Sequence, residues 1–84
     1  MAPIRAICFV HLEKENIHDV LEKFKSFPEI THYSVITGEY SGFLEIEVDD
    51  PEELYLLYTK LDAIKGIRTT QTHVIMKRFK FRQS

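Results

Sequence analysis

Chemistry in this chain would have to reside in a few places: four histidines, one cysteine, a run of acids, a basic tail and a glycine-bearing turn. His11, His18, His32 and His73 fall on four different segments, with no close ligand pair and no second thiol to join Cys8. A metal site needs clustered ligands, so none is expected. Cys8 lies inside an apolar run and reads as a small core residue. Asp49, Asp50, Glu52 and Glu53 are accounted for by helix capping and the helix dipole. No serine, cysteine or lysine has a recognisable catalytic neighbourhood, so the expected catalytic set is empty. The tail "KRFKFRQS" interleaves Lys77, Arg78, Lys80 and Arg82 with Phe79 and Phe81. That composition suits phosphate gripping and base stacking. On a continuing strand it equally suits an amphipathic extension packed on a neighbouring subunit. "TGEYSG", Thr37 to Gly42, reads as a hairpin turn whose glycines also let backbone pass close to a ligand.

The elements that must position these groups follow from hydrophobic spacing. Ile17, Val20, Leu21, Phe24 and Phe27 keep the rhythm of one buried helix face, with Asn16 placed to cap it and Pro28 to stop it. Asp50, Pro51 and Glu53 announce a second helix by a cap, a first-turn proline and the acid of a capping box. Its buried face is expected to run Leu54, Leu57, Tyr58, Leu61, Ile64, with Gly66 as C-cap. Strands are expected at Ile4 to His11, Ile30 to Thr37, Phe43 to Val48 and Thr69 to Lys77, which are rich in β-branched and aromatic residues.

Shifting the chain by about 37 positions lays Ile7 on Leu44, Phe9 on Ile46, Val20 on Leu57, Phe24 on Leu61 and Ile30 on Ile67. Two such β-α-β units in one sheet make a ferredoxin-like α+β fold, βαββαβ, with four antiparallel strands and both helices on one face. The other face is then open. The first strand carries Ile7 and Phe9 on one side and Ala6, Cys8 and Val10 on the other, so apolar groups face outward whichever side meets the helices. Such a patch marks an interface, and a second copy is the expected cover.

The chain has 84 residues and a net charge of −2. It is one small domain, residues 1–84, whose thin core favours association. The interspersed charges give no field for bulk nucleic-acid or membrane binding, and no apolar run could span a bilayer. With no signal peptide ahead of the first strand and a single cysteine, a soluble cytoplasmic protein is expected.

The stretches "YSVITGEYSGFLEIEV" and "IKGIRTTQTHVIM", with a capped helix between them, resemble the effector-binding RAM domain of the Lrp/AsnC transcriptional regulators. The likeness runs from Ile4 to about Lys77. The resemblance implies a domain that pairs through its sheets, assembles into a dimer or a ring of dimers, and binds an amino acid or related metabolite near the glycine turn. Carried onto this sequence, the ligand-binding residues are Thr37, Gly38, Glu39, Tyr40 and Ser41, approached by Thr70 and Thr72 of the same or a neighbouring subunit. The family's turn motif ends in an acid where Ser41 stands here, which removes a carboxylate suited to an α-amino group. No helix-turn-helix precedes the first strand, so the stand-alone form of the domain is expected. It would not bind DNA itself, would need no cofactor, and would act on full-length regulators of the family. The alternative from another class is an enzyme of the dimeric ferredoxin-like barrel type, a small monooxygenase or isomerase.

Overall fold

The computed structural model describes residues 3–82. The elements are β1 (Ile4–Leu12), a 3-10 turn (Lys14–Asn16), α1 (Ile17–Lys25), β2 (Ile30–Val35), β3 (Gly42–Val48), α2 (Pro51–Asp62) and β4 (Ile67–Val74). The strands form one antiparallel sheet in the order β2-β3-β1-β4. This is the expected ferredoxin-like arrangement, with both helices packed on one face. No helix among the described residues is long and apolar enough to cross a membrane.

The ambiguity of the first strand is resolved by burial. Ala6, Cys8, Val10 and Leu12 join Leu44, Ile46 and Val48 beneath Val20, Phe24, Leu57 and Leu61, and together they are the core. Ile7 and Phe9 therefore lie on the open face, where they are only half-buried. The expected repeat needs one correction. A constant shift matches the helices, since Val20 and Leu57, and Phe24 and Leu61, are all buried. In the strands it pairs Ile7 and Phe9 of the open face with Leu44 and Ile46 of the core. The 3-10 turn Lys14–Asn16 lies in the first unit's strand-to-helix connection, and one extra residue there reverses every side chain of a strand.

Other boundaries move for local reasons. β4 starts at Ile67 because Leu12 pairs with it across a register shift, and it ends at Val74. The last bond between these segments, Ile75 N–H to Arg5 O at 2.8 Å, falls at the second residue of β1. Pro3, which precedes β1, has no N–H to continue the ladder. Residues 75–82 are consequently not strand, contrary to the extension expected for the tail, and Gln83 and Ser84 lie outside the described residues. Asn16 makes no side-chain cap; it ends the 3-10 turn, its N–H donating to Glu13 O at 3.0 Å. Asp50 does cap α2, its Oδ1 accepting from Glu53 N–H at 2.8 Å. α2 stops at Asp62, before Gly66, and Tyr58 is exposed rather than part of the buried face. Gly66 has φ +104° and is buried against Asn16 and Val20, so it is required for close approach as well as for its backbone angle.

Candidate functional site

The turn between β2 and β3 is held on the C-terminal end of β1 by four contacts. Ile36 N–H donates to Ser41 O at 3.1 Å, which closes the turn on itself. Ser41 N–H donates to Val10 O at 2.9 Å, and Ser41 Oγ accepts from Leu12 N–H at 3.0 Å. His11 Nδ1 lies 3.3 Å from Glu39 O, a contact the ring makes by donating. Tyr40 packs on Phe9 with ring centroids 5.6 Å apart. Phe9 also meets Phe43 at 5.8 Å and His73 at 6.1 Å. The turn thus sits where β1 passes from paired strand to connection, with one aromatic ring laid on the open face.

This seat leaves the tip of the turn outward. Thr37, Gly38 and Glu39 are exposed, and Gly38 takes φ +112°, with nothing within 4 Å of where a Cβ would stand. Among the described residues, the backbone hydrogen bonds of this segment use the N–H groups of Ile36 and Ser41 but not those of Thr37, Gly38, Glu39 or Tyr40. Consecutive free N–H groups on a fixed turn suit a carboxylate or another oxygen-rich group.

Thr70 and Thr72 do not join the turn within one chain. They pair with Val10 and Cys8, so they point toward the helices, while Tyr40 lies on the opposite face with Phe9. Ser41 and Thr70 flank Val10 from its two sides, about two strand spacings or roughly 10 Å apart. Thr72 instead serves Cys8. Burial pushes the Cys8 thiol up, partly offset by hydrogen bonds with the Thr72 side chain and the Gln71 backbone. The groups that seat the turn, Phe9, His11 and Leu12, carry no sequence signal. His11 and Leu12 precede the residues they meet, Glu39 and Ser41, by 28 and 29 positions and become their neighbours only through strand order. The described residues contain no cluster of three or more His, Cys, Asp or Glu able to hold a metal ion.

Comparison with known proteins adds to this geometry. The sequence model of the Lrp/AsnC ligand binding domain matches residues 5–84. The chain is 30% identical over 73 residues to the "Uncharacterized HTH-type transcriptional regulator PH0140" of Pyrococcus horikoshii, covering 86% of this chain and 46% of that protein. It spans about half the length of the curated regulators it matches. Solved structures share its fold. The hypothetical protein PHS023 of Pyrococcus horikoshii aligns with TM-score 0.79 at 22% identity, covering 96% of this chain and 99% of that one. The transcriptional regulator NMB0573 of Neisseria meningitidis, solved as a complex with L-Met, aligns with TM-score 0.82 at 20% identity, covering 92% of this chain and 52% of that one. With the family's model matching nearly its full length, on the strand order and the seated turn described above, this chain belongs to the Lrp/AsnC ligand-binding domain family.

Proposed function

We propose that the domain is an effector-binding and oligomerisation module that takes up an amino acid or related polar metabolite at the Thr37–Ser41 turn and acts on transcriptional regulators in the cytoplasm. The observation that carries this reading is the turn itself, clamped to β1 by Ser41 and His11 while the N–H groups of Thr37, Gly38, Glu39 and Tyr40 make no backbone hydrogen bond among the described residues. Those groups would hold an effector carboxylate, with the Glu39 and Thr37 side chains beside them. Thr70 and Thr72 would complete the pocket from a neighbouring copy, since within one chain they lie across β1. The open face, with Ile7, Phe9 and Phe43 half-exposed at its centre, would be covered by a second copy, giving a dimer or a ring of dimers. The regulator relatives and the L-Met complex of the Neisseria protein support the same reading. They favour it over the barrel-enzyme alternative.

Calorimetry with a panel of L-amino acids on the wild type and Ser41→Asp tests it. One aspartate oxygen can keep the Leu12 N–H bond and leave the other for an α-amino group. A charge-assisted hydrogen bond contributes about 1.5–3 kcal/mol, so Ser41→Asp should bind amino acids about ten- to hundredfold more tightly. Tight wild-type binding that Ser41→Asp weakens would remove Ser41 from this role.

A further inference from the structure

The effector reading leaves the basic tail and the outer face of α2 unused. In the tail, Phe79 is 66% and Phe81 91% exposed, and Lys77 lies 5.1 Å from the Phe79 ring centroid. Among the described residues none of Lys77, Arg78, Lys80 or Arg82 forms an ion pair. On α2, opposite buried Leu57 and Leu61, the spacing of three and four places Glu52, Tyr55, Thr59 and Asp62 on one outward stripe, with Leu56 on its flank. Tyr55 is 65% and Leu56 50% exposed. The acids of this stripe are likewise free of ion pairs among the described residues, and Lys60 is the one base of α2.

We propose that the tail of one copy docks along the outer stripe of α2 in a second copy. The two surfaces are opposite in charge and matched in apolar content and in length. The stripe from Glu52 to Asp62 rises about 15 Å, and six extended residues from Lys77 to Arg82 span about 17 Å. Phe79 and Phe81 share one face of the extended tail and meet Tyr55 and Leu56, while Lys77 and Arg82, at the two ends of the tail, reach Asp62 and Glu52.

The chain's own tail cannot make this contact. Arg78 borders a cleft with Arg5, Thr31, His32, Glu45 and Glu47. Glu45 and Glu47 alternate with core-facing Leu44 and Ile46, so this cleft is on the open side of the sheet, away from the helices. The shortest Cα extent of the molecule is 19 Å, and the three residues from Arg78 to Phe81 reach at most about 11 Å. The contact joins two different surfaces, so it is either returned within a pair of copies or passed on to a third. Such contacts close into rings or run on as chains, and this one is separate from any pairing through the open sheet face.

Two full-length variants test the proposal in sedimentation velocity across a concentration series: Phe79→Ser with Phe81→Ser, and Tyr55→Ser with Leu56→Ser. All four side chains are exposed, and circular dichroism checks that each variant is folded. Each variant should lose the largest wild-type species, requiring at least about tenfold more protein to form it. An equimolar mixture should form a mixed complex, because one variant brings an intact tail and the other an intact helix. A peptide of residues 77–82 should dissociate the wild-type assembly. The proposal is overturned if either variant sediments like the wild type, or if both dissociate and their mixture does not cross-associate. If a serine variant is unfolded, Lys77→Glu with Arg82→Glu paired with Glu52→Lys with Asp62→Lys gives the same mixing test, with failure to cross-associate again refuting it.

Discussion

Removing the Ser41 hydroxyl separates the seat of the turn from its ligand chemistry. In Ser41→Ala the Leu12 N–H, part-buried and now bonded to Oγ at 3.0 Å, loses its acceptor. A neutral hydrogen bond contributes about 0.5–1.5 kcal/mol, and a buried donor left unsatisfied costs about 1–3 kcal/mol. Leu12 is at the register shift of β1, where water can reach part of the lost bond, so about 1 kcal/mol is expected. For a domain of this size that lowers Tm by about 4–8 °C. Ser41→Asp supplies acceptor oxygens one bond further along the side chain, which reach the Leu12 N–H after a small rotation, and should lose less Tm than Ser41→Ala. Thermal unfolding followed by circular dichroism, at one fixed protein concentration so that assembly does not shift the midpoint, reads both. An unchanged Tm in Ser41→Ala, or an equal loss in both variants, would refute the idea that this hydroxyl fixes the turn to β1.

Three further outcomes follow from the fold. Gly66→Ala should be more damaging than Gly38→Ala: at both the left-handed backbone costs about 1–2 kcal/mol, but at Gly66 the new Cβ would also stand 2.6 Å from Asn16 Cβ and 2.9 Å from Val20 Cγ2. Gly38→Ala bears only the backbone cost, so a denaturant midpoint equally lowered in both would contradict the packing assigned to Gly66. Asp50→Ala should lose about 0.5–2 kcal/mol with its cap to Glu53 N–H, measured by urea unfolding. Because burial raises the Cys8 thiol above its ordinary value of 9.0, the folded chain holds that proton more tightly than the unfolded one. Stability from this source is complete below pH 9.0 and is lost as pH rises through the folded value. Tyr33, raised by burial from 10.0, adds its own loss at higher pH. A Tm–pH series should fall from about pH 9, and less steeply in Cys8→Ala.

Much of this architecture is legible in the sequence because it depends on periodicity. The helix faces around Val20, Phe24, Leu57 and Leu61 repeat with the helical turn, and the alternation of Leu44, Ile46 and Val48 fixes the inward side of β3. Ile7 and Phe9 mislead because β1 is apolar on both sides, so alternation cannot say which side meets the helices. Only the register with β3, Cys8 opposite Leu44, decides it. The tail alternates like a strand, yet no strand forms because its neighbour ends at Pro3. At the turn, glycine and the family likeness single out Thr37–Ser41 as the candidate, but the residues that seat it belong to β1. Thr70 and Thr72 share the sequence neighbourhood expected of a pocket wall, whereas strand order puts β1 between them and the turn.

β1 is also the strand whose two partners are made last. Its pairing with β3 waits for residues 42–48, and its other edge waits for β4, where Ala6 meets Val74 near the far end of the chain. The β2–β3 hairpin, by contrast, closes locally from Val35 to Gly42. During synthesis the stretch Ile4–Leu12 therefore emerges before the strands it pairs with and waits with unpaired edges, though it carries the unbroken apolar run Ala6 to Val10. The strand that anchors the finished domain is thus its main aggregation hazard while the chain is incomplete, and the burden on chaperones should rise with any delay in translating β4.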